Sequence, residues 1–268
     1  DRAFLLSVFS GARYRLANDP RGAGLPGKKT LYTHLSQVDK HQHMVLQNIE
    51  VVRKFGITTD NLTVDFFIPD EARKWAAELF HGCGIQTDDV VVHVHPTARW
   101  LFKCWDDASM ARLIDWLLLQ GFWVIMTSSS SEKEMKKSKK ISSLVGEPRR
   151  FLDLSGQTTI KQLAAISAQS TLFVGVDTAP MHIAAAVGIP VVALFGPTGE
   201  LEWGPWGSQH IILTKKMRCA NCHAEICEGL ELRECMEAIT VDEVVAAVKE
   251  ILWSRGKPVL TEGVSDNG

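Results

Sequence analysis

Asp177, Thr178 and His182 put a carboxylate, a hydroxyl and an imidazole in one polar turn of the stretch TLFVGVDTAPMHIAAAVGIPVVALFGPT, residues 171–198. The turn opens what reads as a helix. The first N–H groups of a helix lack intrahelical partners and favour an anion, so this set suits a phosphorylated ligand. A second set lies at 95–105, HPTARWLFKCW. Thr97, Arg99 and Lys103 there offer a hydroxyl, a planar guanidinium fork and an ammonium point charge, which together neutralise a diphosphate. The blander alternative is that Arg99 and Lys103 are surface charges. Glu132 and Glu134 follow four serines at 128–131, where a carboxylate can partner the dipole of a helix's first turn.

These residues need elements that bring them to one edge. Residues 172–176 form an apolar run without alternation, as in a parallel strand buried on both faces. Pro180 fits the first turn of the helix that follows, Gly188 stops it, and 191–195 reads as the next strand. The same texture begins near residue 89. Strands are predicted at 90–94, 122–127 and 151–154, with helices after Asp106 or Asp107, at 132–145 and at 160–168. Repeated strand and helix give a parallel sheet with helices on both faces, and ligands of such sheets sit beyond the carboxyl ends of the strands. Both polar turns leave such ends. Toward the N-terminus we expect a short apolar segment at 3–9, a Gly/Pro-rich loop at 20–27, a helix at 41–55, a strand at 64–68 and a helix capped by Asp70. Thr240 and Glu243 form a capping box ahead of a long final helix. The predicted organisation is a first domain at 1–85, a second at 86–256 and a mobile tail at 257–268.

A net charge of −2 argues against a nucleic-acid binder. The most apolar stretch, 114–126, is interrupted by Asp115, Gln120 and Gly121, so no membrane span is expected. The chain starts without Met and reads as entered partway through a domain. His34, His41 and His43 lack an acidic or thiol partner set and read as ordinary loop histidines. Cys219, Cys222, Cys227 and Cys235 could build a structural zinc site, or stay as thiols in a reducing cytoplasm.

Asp177-Thr178-Ala179-Pro180-Met181-His182, then Ala184-Ala185-Ala186, Gly188 and LFGPT at 194–198, resemble the donor-site signature of glycosyltransferase family 9, the lipopolysaccharide core heptosyltransferases. The resemblance is strong over 90–207 and includes WGPWG at 203–207. It implies a GT-B-like α/β fold of two Rossmann-type domains with parallel sheets, the first incomplete. It implies transfer of heptose from ADP-heptose to the lipopolysaccharide inner core with inversion, by an enzyme on the cytoplasmic face of the bacterial inner membrane. The donor-binding residues would be Thr97, Ala98, Arg99, Lys103, Glu134, Asp177, Thr178, Ala179 and His182. Glu134, or else Glu132, would hold the ribose, and Asp177 would orient the sugar or the phosphate-binding turn. The general base would lie in the N-terminal part of the first domain that, set against the family, is missing from this sequence. The lysines 136, 137, 139 and 140 are a solvated face or a contact for anionic lipid. No Asp-x-Asp motif occurs, so no metal is expected to bridge the donor, and no cofactor beyond the nucleotide-sugar is implied. A UDP-sugar transferase or epimerase, and a non-catalytic nucleotide-sugar binding module, are the alternatives.

Overall fold

A computed structural model describes residues 2–19, 28–37, 39, 41–207, 209–215, 234–257 and 259. These divide into two compact units, Asp1–Thr63 with Leu201–Trp203, and Val64–Glu200 with Gly204–Gly268.

In the first unit α1 (Arg2–Phe9) is followed by strands β1 (Leu16–Asn18) and β2 (His34–Ser36), a parallel pair with Leu16 opposite His34, and by α2 (Met44–Arg53). The histidines act locally. His43 caps α2, its Nδ1 accepting from the Val45 N–H at 3.2 Å, and His34 meets the Phe55 ring edge-on at 4.5 Å.

The second unit begins with an extended segment and α3 (Asp70–Gly82). The strand expected at 64–68 is absent. Ile68 and Phe66 turn inward against α3, while the Phe67 carbonyl accepts from the Lys161 ammonium at 2.5 Å, so no neighbouring strand engages it. Pro69, not Asp70, occupies the cap of α3. There follow β3 (Val91–His95), α4 (Asp107–Leu119), β4 (Trp123–Met126), α5 (Glu132–Leu144), β5 (Phe151–Asp153), α6 (Ile160–Gln169), β6 (Leu172–Val176), α7 (Ala179–Ala186), β7 (Val191–Phe195), the single turn α8 (Glu200–Trp203), whose Leu201–Trp203 group with the first unit, then β8 (Ile211–Thr214), α9 (Glu234–Glu237) and α10 (Val241–Ser254). Strand β8, which the sequence reading passed over, extends the sheet beyond β7.

The six strands pair in parallel in the order β5-β4-β3-β6-β7-β8. Strands β3, β6 and β7 are buried along their whole length, which explains the unalternating apolar sequences of β6 and β7, while β3 carries His93 and His95 into the interior. On one face Val92, Val94, Val174 and Val192 pack with Leu113, Leu117, Ile141, Val248 and Leu252 from α4, α5 and α10. On the other, Val91, Ile125 and Phe173 meet residues of α3, α6 and α7. Helix α3 buries Ala72 and Ala76 with Leu163, Ala164 and Ile183. Those contacts group it with the sheet and put the division of the units at 63/64, ahead of the expected boundary at 85/86. Caps set the helix starts. Asp106 accepts from the Ser109 N–H at 2.8 Å, and α6 and α10 begin with capping boxes, Thr159 with Gln162 and Thr240 with Glu243.

The lysine run on α5 splits in two. Lys137 is half-buried, donates to the Trp105 carbonyl at 2.8 Å and pairs with Asp107, which Lys140 also reaches at 3.0 Å. Lys136 and Lys139 are exposed. Two of the four charges therefore serve the contact between α4 and α5 rather than a continuous outer face.

Candidate functional site

The strand order reverses between β3 and β6. From β3 the chain builds outward through β4 and β5, then returns to the other side of β3 with β6, β7 and β8. Such a switch point leaves a crevice at the carboxyl ends of the two strands, because the following connections diverge to opposite sides. Both polar turns open there.

After β6, Asp177 is buried, with 6% of its surface exposed. Its Oδ2 accepts from Lys103 Nζ at 2.7 Å and from Thr198 Oγ1 at 2.6 Å. Lys103 ends a short 3-10 turn, Leu101–Lys103, in the connection after β3, and Thr198 follows β7. Three strand ends thus meet on one carboxylate oxygen. Thr178 is the N-cap residue of α7 but makes no side-chain cap bond, so the Asp-Thr pair is not an ordinary capping device. Ala179 and Pro180 are the first residues of α7, and half-buried His182 stands one turn in from Thr178.

A second carboxylate lies on the β4 side. Glu134, buried on the first turn of α5, accepts from Thr97 Oγ1 at 2.8 Å through Oε2, and from Ser129 at 2.5 Å and Ser131 at 3.1 Å through Oε1. Burial works against its charge. The hydroxyls of Ser129, Thr97 and Ser131, with a smaller contribution from His95, outweigh that and hold the carboxyl below the ordinary glutamate value. Glu134 is therefore an ionised acceptor at neutral pH. Glu132, its alternative, is exposed on the same turn. Arg99, Trp100, Ser131, Glu132, Lys133 and Glu134 line a crevice of about 540 Å³. The Arg99 guanidinium lies 5.6 Å from the Trp100 ring, and Trp100 is 46% exposed.

The expected donor residues accordingly fall into two groups at one sheet edge: Thr97, Arg99 and Glu134 toward β4, and Lys103, Asp177, Thr178, Ala179 and His182 between β3 and β7. Ala98 is buried between them. The Thr97 hydroxyl, expected at a phosphate, donates to Glu134 instead. Sequence reasoning gave no role to Ser129, Ser131 or Thr198, which complete the two carboxylate shells. It also passed over His93 and His95, although two imidazoles in the strand sequence VVHVH had to find partners inside. His93 lies 2.8 Å from both Ser167 and Thr127, and His95 2.8 Å from Thr127. Burial, with His95 adding repulsion, lowers the His93 pKa to about 3. Burial lowers that of His95 to about 4, against the opposing pull of Glu134.

Cys219, Cys222 and Cys227 lie outside the described residues, as does 260–268 of the expected tail, and Cys235 is buried. Among the described residues no group of three His, Cys, Asp or Glu side chains is placed to hold a metal ion. No helix among them is long and apolar enough to cross a membrane.

Residues 3–231 match the model of the glycosyltransferase family 9 (heptosyltransferase). The chain belongs to glycosyltransferase family 9. It is 33% identical over 230 residues to lipopolysaccharide heptosyltransferase 3 of Escherichia coli (strain K12), a match covering 84% of this chain and 63% of that protein. The chain thus spans less than two thirds of that relative's length. Its fold is similar to a family 9 glycosyl transferase from Veillonella parvula DSM 2008, with a TM-score of 0.74 at 21% identity over 84% of this chain and 64% of that one. It is also similar to E. coli ADP-heptose lps heptosyltransferase II, with a TM-score of 0.73 at 19% identity over 95% of this chain and 74% of that one. The family 9 fold is α/β and GT-B-like, as the resemblance in the Asp177 turn implied.

Proposed function

We propose that this family 9 chain carries the donor site of an inverting glycosyltransferase that moves heptose from ADP-heptose to the inner core of lipopolysaccharide. The observation that carries this reading is the pairing of Lys103 with Asp177 at the switch point, beside the ionised, hydroxyl-bound Glu134. The signature of the Asp177 turn and the heptosyltransferase names of its relatives support the choice of sugar and nucleotide.

In this reading the diphosphate lies over the N-terminus of α7 and against Lys103. An ammonium has three donors, so its contact with Asp177 orients it without exhausting it. Lys103, His182 and the first N–H groups of α7 stabilise the charge that develops on ADP as the bond to the anomeric carbon breaks. Glu134, fixed through both oxygens by Thr97, Ser129 and Ser131, accepts from the ribose hydroxyls. Arg99 and Trp100 bound the outer wall of the crevice. The acceptor is the lipopolysaccharide inner core at the cytoplasmic face of the inner membrane, where exposed Lys136 and Lys139 remain for anionic headgroups.

The test is release of ADP from ADP-heptose in the presence of inner-core lipopolysaccharide. Release coupled to a heptose gain on the acceptor is expected, with a loss of about 10²-fold in His182→Ala. Turnover of a UDP-sugar instead would overturn the donor assignment, and nucleotide binding without turnover would make the chain a binding module.

A further inference from the structure

We infer that Thr127 is a positioning residue for Glu134: by joining His93 and His95 it fixes the ends of β3 and β4 where those strands deliver Thr97 and Ser129 to opposite oxygens of the carboxylate. The role in ligand binding, though not the geometry, rests on the donor-site reading of Glu134.

The paired register of β3 and β4 ends at Val94 opposite Met126, with the Thr127 N–H donating to the Val94 carbonyl at 3.0 Å. Beyond that rung the backbones separate. One leads to Thr97, the other to Ser128 and Ser129, and the Ser128 carbonyl is already accepting from Gly156, beyond β5, at 3.1 Å. At this point of divergence Thr127 Oγ1 sits 2.8 Å from both His93 Nε2 and His95 Nδ1. His93 Nδ1 continues to Ser167 of α6 at 2.8 Å. All four side chains are buried, with 3% exposure at most.

A hydroxyl has one hydrogen. Thr127 can therefore donate to at most one of the two imidazoles, so at least one ring must turn an N–H toward its oxygen and the tautomers of the two rings are restricted together. Losing any member strands a buried polar atom, so the network holds β3, β4 and α6 in one arrangement. Apolar side chains would fill the same space without desolvating two imidazoles. Their cost is matched by a position: the network ends two residues before Thr97 on one strand and two before Ser129 on the other. Each of those residues donates to a different oxygen of Glu134.

The experiment compares wild type, Thr127→Val and Thr127→Ser by ¹³C-carboxylate NMR titration of Glu134 without ligand and by ADP calorimetry. In Thr127→Val, which keeps the shape and removes the hydroxyl, Glu134 should titrate closer to the ordinary glutamate value. ADP affinity should fall about tenfold, the loss of roughly one charge-assisted hydrogen bond. Thr127→Ser should restore both. Thr127→Ala provides the same comparison should the valine variant not fold. A folded hydroxyl-less variant whose Glu134 titrates as in wild type would overturn the proposal. Absence of ADP binding by wild type would instead overturn the donor-site reading, while the carboxylate titration still decides the role of Thr127.

Discussion

Lys103 and Asp177, 74 positions apart in sequence, meet at 2.7 Å where the strand order of the sheet reverses. The contact ties the connection after β3 to the turn after β6, and Thr198 adds the end of β7 to the same oxygen. Lys103→Met leaves Asp177 buried without its cation. The expected cost is about 1–3 kcal/mol of stability, read in urea unfolding, with at least a tenfold loss of ADP affinity in calorimetry. Unchanged affinity in the folded variant would remove Lys103 from the phosphate site.

Acid should destabilise the second unit well before ordinary carboxylates titrate. His93 and His95 are neutral when folded, with pKa values lowered to about 3 and about 4, whereas the unfolded chain takes up these protons near 6.5. Between 6.5 and about 4 the unfolded state binds more protons, so each histidine removes ~1.4 kcal/mol of stability per pH unit as pH falls. Glu134 and Asp107, both depressed when folded, act in the same direction lower down, their contribution being lost as pH falls through their folded values. Urea unfolding at pH 5 should give roughly 4 kcal/mol less than at pH 7. Equal stability at the two pH values would contradict the buried neutral state of the pair.

Gly175 faces the end of β3. A Cβ there would stand 2.8 Å from the His95 carbonyl and 2.7 Å from the Phe173 ring, and the carbonyl belongs to the backbone of a buried strand. Gly175→Ala should cost about 1–3 kcal/mol through forced displacement of β3. Gly146→Ala, whose Cβ would meet Asp115 at 3.9 Å, is the matched control and should be near neutral. Equal melting temperatures for the two variants would contradict the close approach.

The division of the α5 lysines is open to the same kind of comparison. Lys137→Met removes the less exposed of the two cation partners of Asp107 and a donor to the Trp105 carbonyl, and should cost about 1.5–3 kcal/mol. Lys136→Met, at an exposed position, should change stability by less than about 0.5 kcal/mol. Similar losses would mean that the run acts as one surface.

The centre of the sheet was legible because strands buried on both faces announce themselves as apolar runs; 172–176 and 191–195 coincide with β6 and β7 to the residue. The Asp177 turn was legible through its residue types and spacing. Other features were not, for physical reasons. Residues 64–68 have a strand's composition, but strands need a partner, and α3 and α6 took the apolar side chains instead. Edge strand β8, half-buried throughout, lacks the apolar signal of its neighbours. The Thr198 hydroxyl became part of the site only when the ends of β6 and β7 were brought together, which no local pattern encodes, whereas Ser129 and Ser131 reach Glu134 within their own turn, from five and three residues away, and were missed because a run of four serines does not say which of them face the carboxylate. The Lys137–Asp107 pair crosses from α5 to α4 and is equally invisible to a reading of the lysine run alone.

The most direct test of the central claim is a thermal-unfolding panel of the chain with ADP, ADP-heptose, UDP and GDP. A ligand at 100 times its dissociation constant stabilises the folded state by about 2.7 kcal/mol, a displacement of several degrees in a domain of this size. The account predicts stabilisation by ADP and ADP-heptose that is lost in Lys103→Met, with little response to UDP or GDP. Stabilisation by UDP alone, or an ADP response that Lys103→Met leaves intact, would contradict it.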